Sequence, residues 1–236
     1  MTGRTPAGAL RWMSDGTATF RKAVAEVEDR LDAAGPLPGW TRRHIVAHVA
    51  ANADALGNLV HWARTGEPRP MYASASARAE DIERGSRLAT PELVAWLTRS
   101  SEALEAGMRR LRDEHWQTPV VTATARTVPA AHIPWLRARE VWVHAVDLAA
   151  DVGFADLPTD FLTALCTDVV AQRANAPGPA LVLRASDTGD RWELAGHGTP
   201  VTADGPCAQI AAYLTGRAHA LTTAGGGPAP ALPAWL

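Results

Sequence analysis

Apolar residues recur every three or four positions through the first two thirds of the chain, the spacing that gives a helix one buried face. Leu10, Met13, Phe20, Val24, Val27 and Leu31 predict an amphipathic helix from Leu10 to Ala34, stopped by Gly35-Pro36. After Pro38-Gly39-Trp40, Thr41 can cap a second helix running to about Thr65 and ended by Gly66 and Pro68, with Ile45, Val49, Leu56 and Leu59 on its inward side. Gly66 to Ser76 reads as a loop, and the polar, Ala-rich stretch from Ala77 to Leu88 as a helix. Thr90-Pro91-Glu92 opens another helix to about Arg112, with Pro91 suited to the first turn. His115 to Ala130 reads as extended or looped, and Pro134 to Asp151 as a further helix.

Four principal helices with short connections predict a helical bundle over residues 1–152. Gly153 to Thr159 makes a linker, beyond which the pattern changes. A helix from Asp160 to Ala174 is followed by strands at Ala180–Ala185 and Arg191–Ala195, placed around the turn Ser186-Asp187-Thr188-Gly189. Val201-Thr202 can add a strand, and Pro206 to Ala220 returns to helix through Ile210, Leu214 and Arg217. The Gly- and Pro-rich tail ends in Trp235-Leu236, which can dock back. The predicted class is therefore α+β: a four-helix bundle followed by a smaller α/β domain over residues 153–236.

Polar residues interrupt two of the apolar stripes. Successive helical residues rotate by about 100°, so Glu140 and His144 lie only ~40° apart, flanked by Ile133, Leu136 and Val143. His48 and Asn52 sit likewise among Ile45, Val49, Leu56 and Leu59. Ionisable groups in an apolar stripe are normally paired or bound to metal. Two imidazoles and one carboxylate suit a catalytic metal site that keeps one position open; a buried Glu-His pair accounts for the same spacing equally well. Asp147 shares the face of Glu140 and His144, and it either orients a ligand or sits in solvent near the helix end. His44 is a rival ligand at the edge of its stripe. His61 points away from the stripe and reads as solvated, and His115, His132, His197 and His219 have no partner at ligand spacing.

Composition narrows the classes. The 236 residues are 47% hydrophobic with a formal net charge of -2, and Arg is interspersed with Asp and Glu. No basic stripe exists to follow a phosphate backbone, so no nucleic-acid partner is expected. The first residues lack a charged start followed by a long apolar run, and no window reaches the ~18 apolar residues of a membrane span. The expected location is cytoplasmic, with no membrane partner. Cys166 and Cys207 stand in no CxxC spacing and read as buried thiols. The nine Trp residues read mostly as core and groove lining.

The run LPGWTRRHIVAHVAANADAL at 37–56, with ARTGEP at 63–68 and PMY at 70–72, resembles the N-terminal domain of the mycothiol-dependent maleylpyruvate isomerases. The resemblance continues in order through REVWVHAVDL at 139–148 and AYLTGR at 212–217. It implies a DinB-like helical bundle, a smaller α/β domain, and a divalent metal held by His48, Glu140 and His144. It further implies Arg217 as an active-site arginine, and Arg78, within ARAEDI at 77–82, as a substrate-binding residue beside the cleft. The implied reaction is conversion of maleylpyruvate to fumarylpyruvate, a step of gentisate degradation, by reversible addition of the mycothiol thiolate. Zinc is preferred from the ligand types, although Fe, Co, Ni or Mn fit the same donors. The implied partners are the small-molecule substrate and a low-molecular-weight thiol. A metal-dependent mycothiol S-transferase and a non-catalytic thiol- or metal-binding module remain open, as does the oligomeric state.

Overall fold

The computed structural model describes residues 5–174 and 176–235. The chain divides into two units, Thr5–Val152 and one built on Gly153–Leu236. The class is α+β, with a helical N-terminal part and a smaller α/β C-terminal part. No helix among the described residues is long and apolar enough to cross a membrane.

The first unit is built from α1 (Pro6–Glu26), α2 (Arg42–Thr65), α3 (Ala75–Ser86), α4 (Thr90–Arg109) and α5 (Ile133–Asp147). α2 is the central element, packed against α3, α4 and α5, while α1 lies along α5. Ile45, Leu56 and Leu59 of α2 are fully buried with Leu93 and Leu97 of α4 and Ile133 of α5. The long helices α1, α2, α4 and α5 are the four principal helices expected, and α3 corresponds to the Ala-rich segment.

Several boundaries differ from the sequence expectation, each for a local reason. α1 stops at Glu26 instead of reaching Ala34, and a 3-10 turn at Glu28–Arg30 follows. Val27 and Leu31 are nevertheless buried, so the apolar period runs on after the helix has ended. The freed backbone has another use: the carbonyls of Leu31 and Ala33 accept the N–H groups of Arg43 and Arg42 at 3.0 and 3.1 Å, donors that the first turn of α2 cannot satisfy internally. The side chain of the same Arg42 donates from Nε to the Leu148 carbonyl at 2.6 Å and caps α5, which ends at Asp147 and not at Asp151. α4 ends at Arg109 rather than Arg112. The segment read as extended or looped holds a 3-10 turn at Asp113–Gln117 and an antiparallel hairpin of β1 (Pro119–Val121) and β2 (Thr127–Pro129).

The relation of α2 to α5 is set by Arg137, 1% exposed. Its Nη1 donates to the Val49 carbonyl at 2.6 Å and to Asn52 Oδ1 at 3.0 Å, and its Nη2 to Ser101 Oγ at 3.1 Å. One guanidinium thus joins α5, α2 and α4. Burial lowers its pKa to about 10, which leaves it charged at neutral pH, and removing it would leave neutral buried acceptors unsatisfied at about 1–3 kcal/mol each.

The second unit has α6 (Thr159–Arg173), β3 (Pro179–Ala185), β4 (Arg191–Leu194), β5 (His197–Gly205), α7 (Cys207–Leu214) and β6 (Thr222–Thr223). The sheet order is β4-β3-β5-β6; β3 and β5 are parallel and the other pairs antiparallel. Leu181 and Leu183 are buried opposite Leu194 and Trp192, and α6 and α7 pack on β4 and β3 respectively. The strand expected at Val201-Thr202 is longer, because its first residues are exposed and carry no apolar alternation. α7 is much shorter than the expected Pro206–Ala220. Gly216 takes φ +74° and the Arg217 N–H turns back to the Ala212 carbonyl at 2.8 Å, a left-handed helix ending that favours glycine. Arg217 therefore follows the helix. Cys166 and Cys207 are free and buried. The tail docks as expected through Tyr213 Oη to the Pro230 carbonyl (2.6 Å) and Trp235 Nε1 to Gln172 Oε1 (3.3 Å); Leu236 lies outside the described residues.

At Gly16 α1 lies tight against α5: a Cβ there would lie 2.6 Å from Val141 Cγ2 and 2.8 Å from Trp142 Cδ1. Gly16→Ala should lose roughly 1–3 kcal/mol to overpacking, although alanine is the better helix former by about 1 kcal/mol. Urea unfolding reads the result as a lower midpoint at unchanged slope; a midpoint equal to or above that of the parent would show that the helices can separate without cost.

Candidate metal centre

α2 and α5 bring the expected donors together. His48 Nε2 lies 2.8 Å from Glu140 Oε2, and His144 Nε2 lies 3.5 Å from the same oxygen. The two imidazole rings meet edge to face at 4.8 Å between centroids, and one ligand atom from each of the three residues lies within 4.8 Å of the others. Arg137 explains this register: it sits one turn before Glu140 on α5 and grips the carbonyl of Val49, the residue after His48. Trp40 covers His48 from the side at 5.5 Å between ring centroids.

Each donor is fixed from behind. His144 Nδ1 hydrogen-bonds Asp147 Oδ2 at 2.8 Å, which leaves Nε2 as the ligand atom, the carboxylate-histidine arrangement common around metals. Asp147 is 1% exposed, so of its two sequence readings the solvated one is excluded. His48 Nδ1 faces Arg78 Nη2 at 3.4 Å. Because a guanidinium only donates, Nε2 is the His48 nitrogen that carries a proton toward Glu140.

The electrostatics follow from these contacts. Burial opposes the charge on Glu140, but hydrogen bonds from His144 and His48 outweigh it and hold the carboxyl well below the usual range. For His48 burial is the larger effect, and despite Glu140 its pKa is lowered. Burial acts in the same direction on His144, yet the carboxylates of Asp147 and Glu140 overcome it and the pKa is raised. One imidazole is thus inclined to neutrality and the other to charge, around a carboxylate that stays ionised. Two ring nitrogens and one carboxylate oxygen converging in a buried site form a donor set that fits a single divalent ion.

Other candidates fall elsewhere. His44 is not a ligand: its Nδ1 accepts from the Thr41 N–H at 3.2 Å and meets Thr41 Oγ1 at 2.8 Å, so it caps α2. Asn52 serves Arg137. Arg217 belongs to the second unit, where its Nη1 donates to the Thr215 carbonyl and its guanidinium lies 5.9 Å from the Trp235 ring centroid. Two residues that sequence reasoning passed over stand close to the donors. Arg137 was hidden as one arginine among many, although its position one turn before Glu140 put it on the same apolar face. Tyr72 is in hydrogen-bonding contact with Arg78, and burial pushes its phenol up to about 12; a lone tyrosine in a loop gives no periodic signal. Tyr72 also borders a cavity of about 790 Å³ between α2, α3 and α4.

The geometry agrees with what comparison finds. Residues 3–149 match the family described as "Mycothiol maleylpyruvate isomerase N-terminal domain". The structure superposes on a crystal structure of the mycothiol-dependent maleylpyruvate isomerase with a TM-score of 0.94 and 36% identity, covering 98% of this chain and 97% of that one. A crystal structure of a histidine-to-alanine mutant of that isomerase matches with a TM-score of 0.93, again at 36% identity and with the same coverage of both chains. No curated protein sequence matches. With the family matched over more than half of the chain and the fold shared over nearly all of it, the chain belongs to the mycothiol maleylpyruvate isomerase family.

Proposed function

We propose that this chain is a mycothiol- and divalent-metal-dependent isomerase that converts maleylpyruvate to fumarylpyruvate, a cytoplasmic step of gentisate degradation. The observation that carries the reading is the convergence of His48, Glu140 and His144 on one point in a chain that shares its fold and 36% of its residues with such an enzyme. The same similarity favours isomerisation over the S-transferase and binding-module readings.

In this reading Glu140 gives a carboxylate oxygen, and His144 and His48 give Nε2, to a metal whose proposed identity is zinc; His48 does so with its proton moved from Nε2 to Nδ1, so Arg78 turns away from that nitrogen. A divalent ion so held lowers the pKa of a thiol that binds it, making thiolate available at neutral pH. Mycothiol, when bound, would supply a thiolate nucleophile for reversible addition to the cis alkene, so that the carbon–carbon bond could rotate before the thiolate is expelled unchanged. Asp147 holds the His144 ring in its donor orientation. Arg78, beside His48 and Tyr72, is assigned to a substrate carboxylate through bidentate hydrogen bonds. Arg217 enters from its LTGR motif as the guanidinium that steadies a second carboxylate or the enolate oxygen, where negative charge develops.

The deciding measurement is loss of maleylpyruvate absorbance with metal-loaded protein and mycothiol, glutathione or no thiol. Conversion to fumarylpyruvate with mycothiol alone is expected; no conversion with metal and mycothiol both bound would overturn the reading. Glu140→Ala should lose metal content and activity together, and an active, metal-free variant would refute the ligand assignment. Asp147→Asn should keep the fold and weaken metal affinity by roughly 10–100-fold, read by competition with a chromogenic chelator; unchanged affinity would show that Asp147 does not orient His144.

The ionisation pattern adds a pH dependence. His144 has a raised pKa, so the metal-free protein keeps its proton to higher pH than a free imidazole would. Metal must displace that proton, and affinity should rise with pH through the raised His144 value and level off above it. Titrations in buffers of different ionisation enthalpy should detect proton release near pH 6.5, the ordinary imidazole value. Absence of release there would mean that His144 is already neutral.

A further inference from the structure

The cavity between α2, α3 and α4, of about 790 Å³, is used by none of the residues assigned above except at its Tyr72 end. We propose that it is the subsite for the polyhydroxylated part of the thiol, the glucosaminyl-inositol of mycothiol; this rests on the mycothiol-dependent reading. Size is the first indication. The volume lies in the upper part of the range of small-molecule sites, about 300–1,000 Å³, and is far larger than a six-carbon keto-dicarboxylate needs.

Charge is the second. Asp54, Asp81 and Glu92 line the cavity against Arg84 and Arg99, so three carboxylates face two guanidiniums. A dianionic substrate finds no excess of positive charge there. A neutral polyol suits the same wall, because its hydroxyls donate to carboxylates and accept from guanidiniums. The glucosaminyl-inositol of mycothiol, its amine acylated by the cysteine, carries no charge and many hydroxyls.

Trp96 is the third. Its Nε1 donates to Asp54 Oδ2 at 2.7 Å, and its ring is seated on α3, where a Cβ at Gly85 would lie 2.4 Å from Trp96 Cζ3. The indole is therefore held in place at the cavity wall, an aromatic face ready for the C–H side of a sugar ring. Position completes the case. Tyr72 borders the cavity and contacts Arg78, whose guanidinium is 3.4 Å from His48. A ligand with its sulfur at the metal donors and its hydroxyls remote from it has the cavity beside its path.

The test uses calorimetric titration of the full chain with mycothiol, N-acetylcysteine and the thiol-free N-acetylglucosaminyl-inositol, whose amine is acylated and neutral as in mycothiol. Mycothiol should bind the metal-loaded protein at least about tenfold tighter than N-acetylcysteine, and N-acetylglucosaminyl-inositol should bind with or without metal. Asp81→Ala, at a half-buried position of α3, and Arg99→Ala, at an exposed position of α4, should each weaken mycothiol and N-acetylglucosaminyl-inositol by about tenfold while N-acetylcysteine binding and metal content stay as in the parent. Ala95→Phe, which fills the cavity without removing a charge, should do the same. Equal affinities for mycothiol and N-acetylcysteine, or variants that bind mycothiol like the parent, would overturn the subsite. Cavity-dependent binding of mycothiol without turnover of maleylpyruvate would remove the isomerase reading and keep the subsite. Mycothiol-dependent turnover with an unchanged KM for mycothiol in all three variants would do the reverse.

Discussion

A carboxylate taken out of water must be repaid by contacts, and in this chain Glu140 is repaid by two imidazoles. His48 and His144 approach the same oxygen from different helices, and their hydrogen bonds overcome the effect of burial to keep Glu140 ionised. The arrangement also makes each histidine depend on the other. Both rings point Nε2 at one place because Glu140 is there, and His144 is held to that direction by Asp147 from the opposite side. The three donors form a site only as a group, and most of the fold around them serves to keep two helices in the necessary register.

That register has an identifiable origin in Arg137. A buried guanidinium reaches the backbone of α2 next to His48, the side chain of Asn52 and the hydroxyl of Ser101. The bonds are directional, so a slide of α5 along α2 by one turn would break all three, whereas apolar contacts alone tolerate repacking more readily. Gly16 works toward the same end from the other face by letting α1 approach α5 at Val141 and Trp142, the residues that follow Glu140. Glu140, His144, the guanidinium clamp and the close approach of α1 thus fall within two turns of α5.

The cavity beside Tyr72 has a different character from the donor site. The donor site is small, buried and ordered by short hydrogen bonds; the cavity is wide and lined by carboxylates, guanidiniums and an indole. Such a division suits a reaction whose reagent is much larger than its substrate. In the proposed function, chemistry would be confined to a few atoms at His48, Glu140 and His144, while recognition of the bulk of the thiol would be spread over many weak, exchangeable hydrogen bonds.

By itself the sequence determined the helices, the change of pattern near residue 152, and the three ligand candidates, because each rests on local periodicity or on i,i+4 spacing within one helix. Glu140 and His144 were legible together since a single helix places them on one face. Termini were less legible: Leu31 stays buried beyond the end of α1, and apolar spacing records burial, not backbone hydrogen bonding. His48 reaching Glu140, Arg137 spanning three helices, Asp147 turning inward and Tyr72 meeting Arg78 were decided only by tertiary structure. These contacts join residues from 3 to 92 positions apart, and apart from the Asp147 pair no local pattern encodes them; they follow from how α2 and α5 pack, where the directional bonds of one buried arginine select the register from several that apolar burial alone would allow.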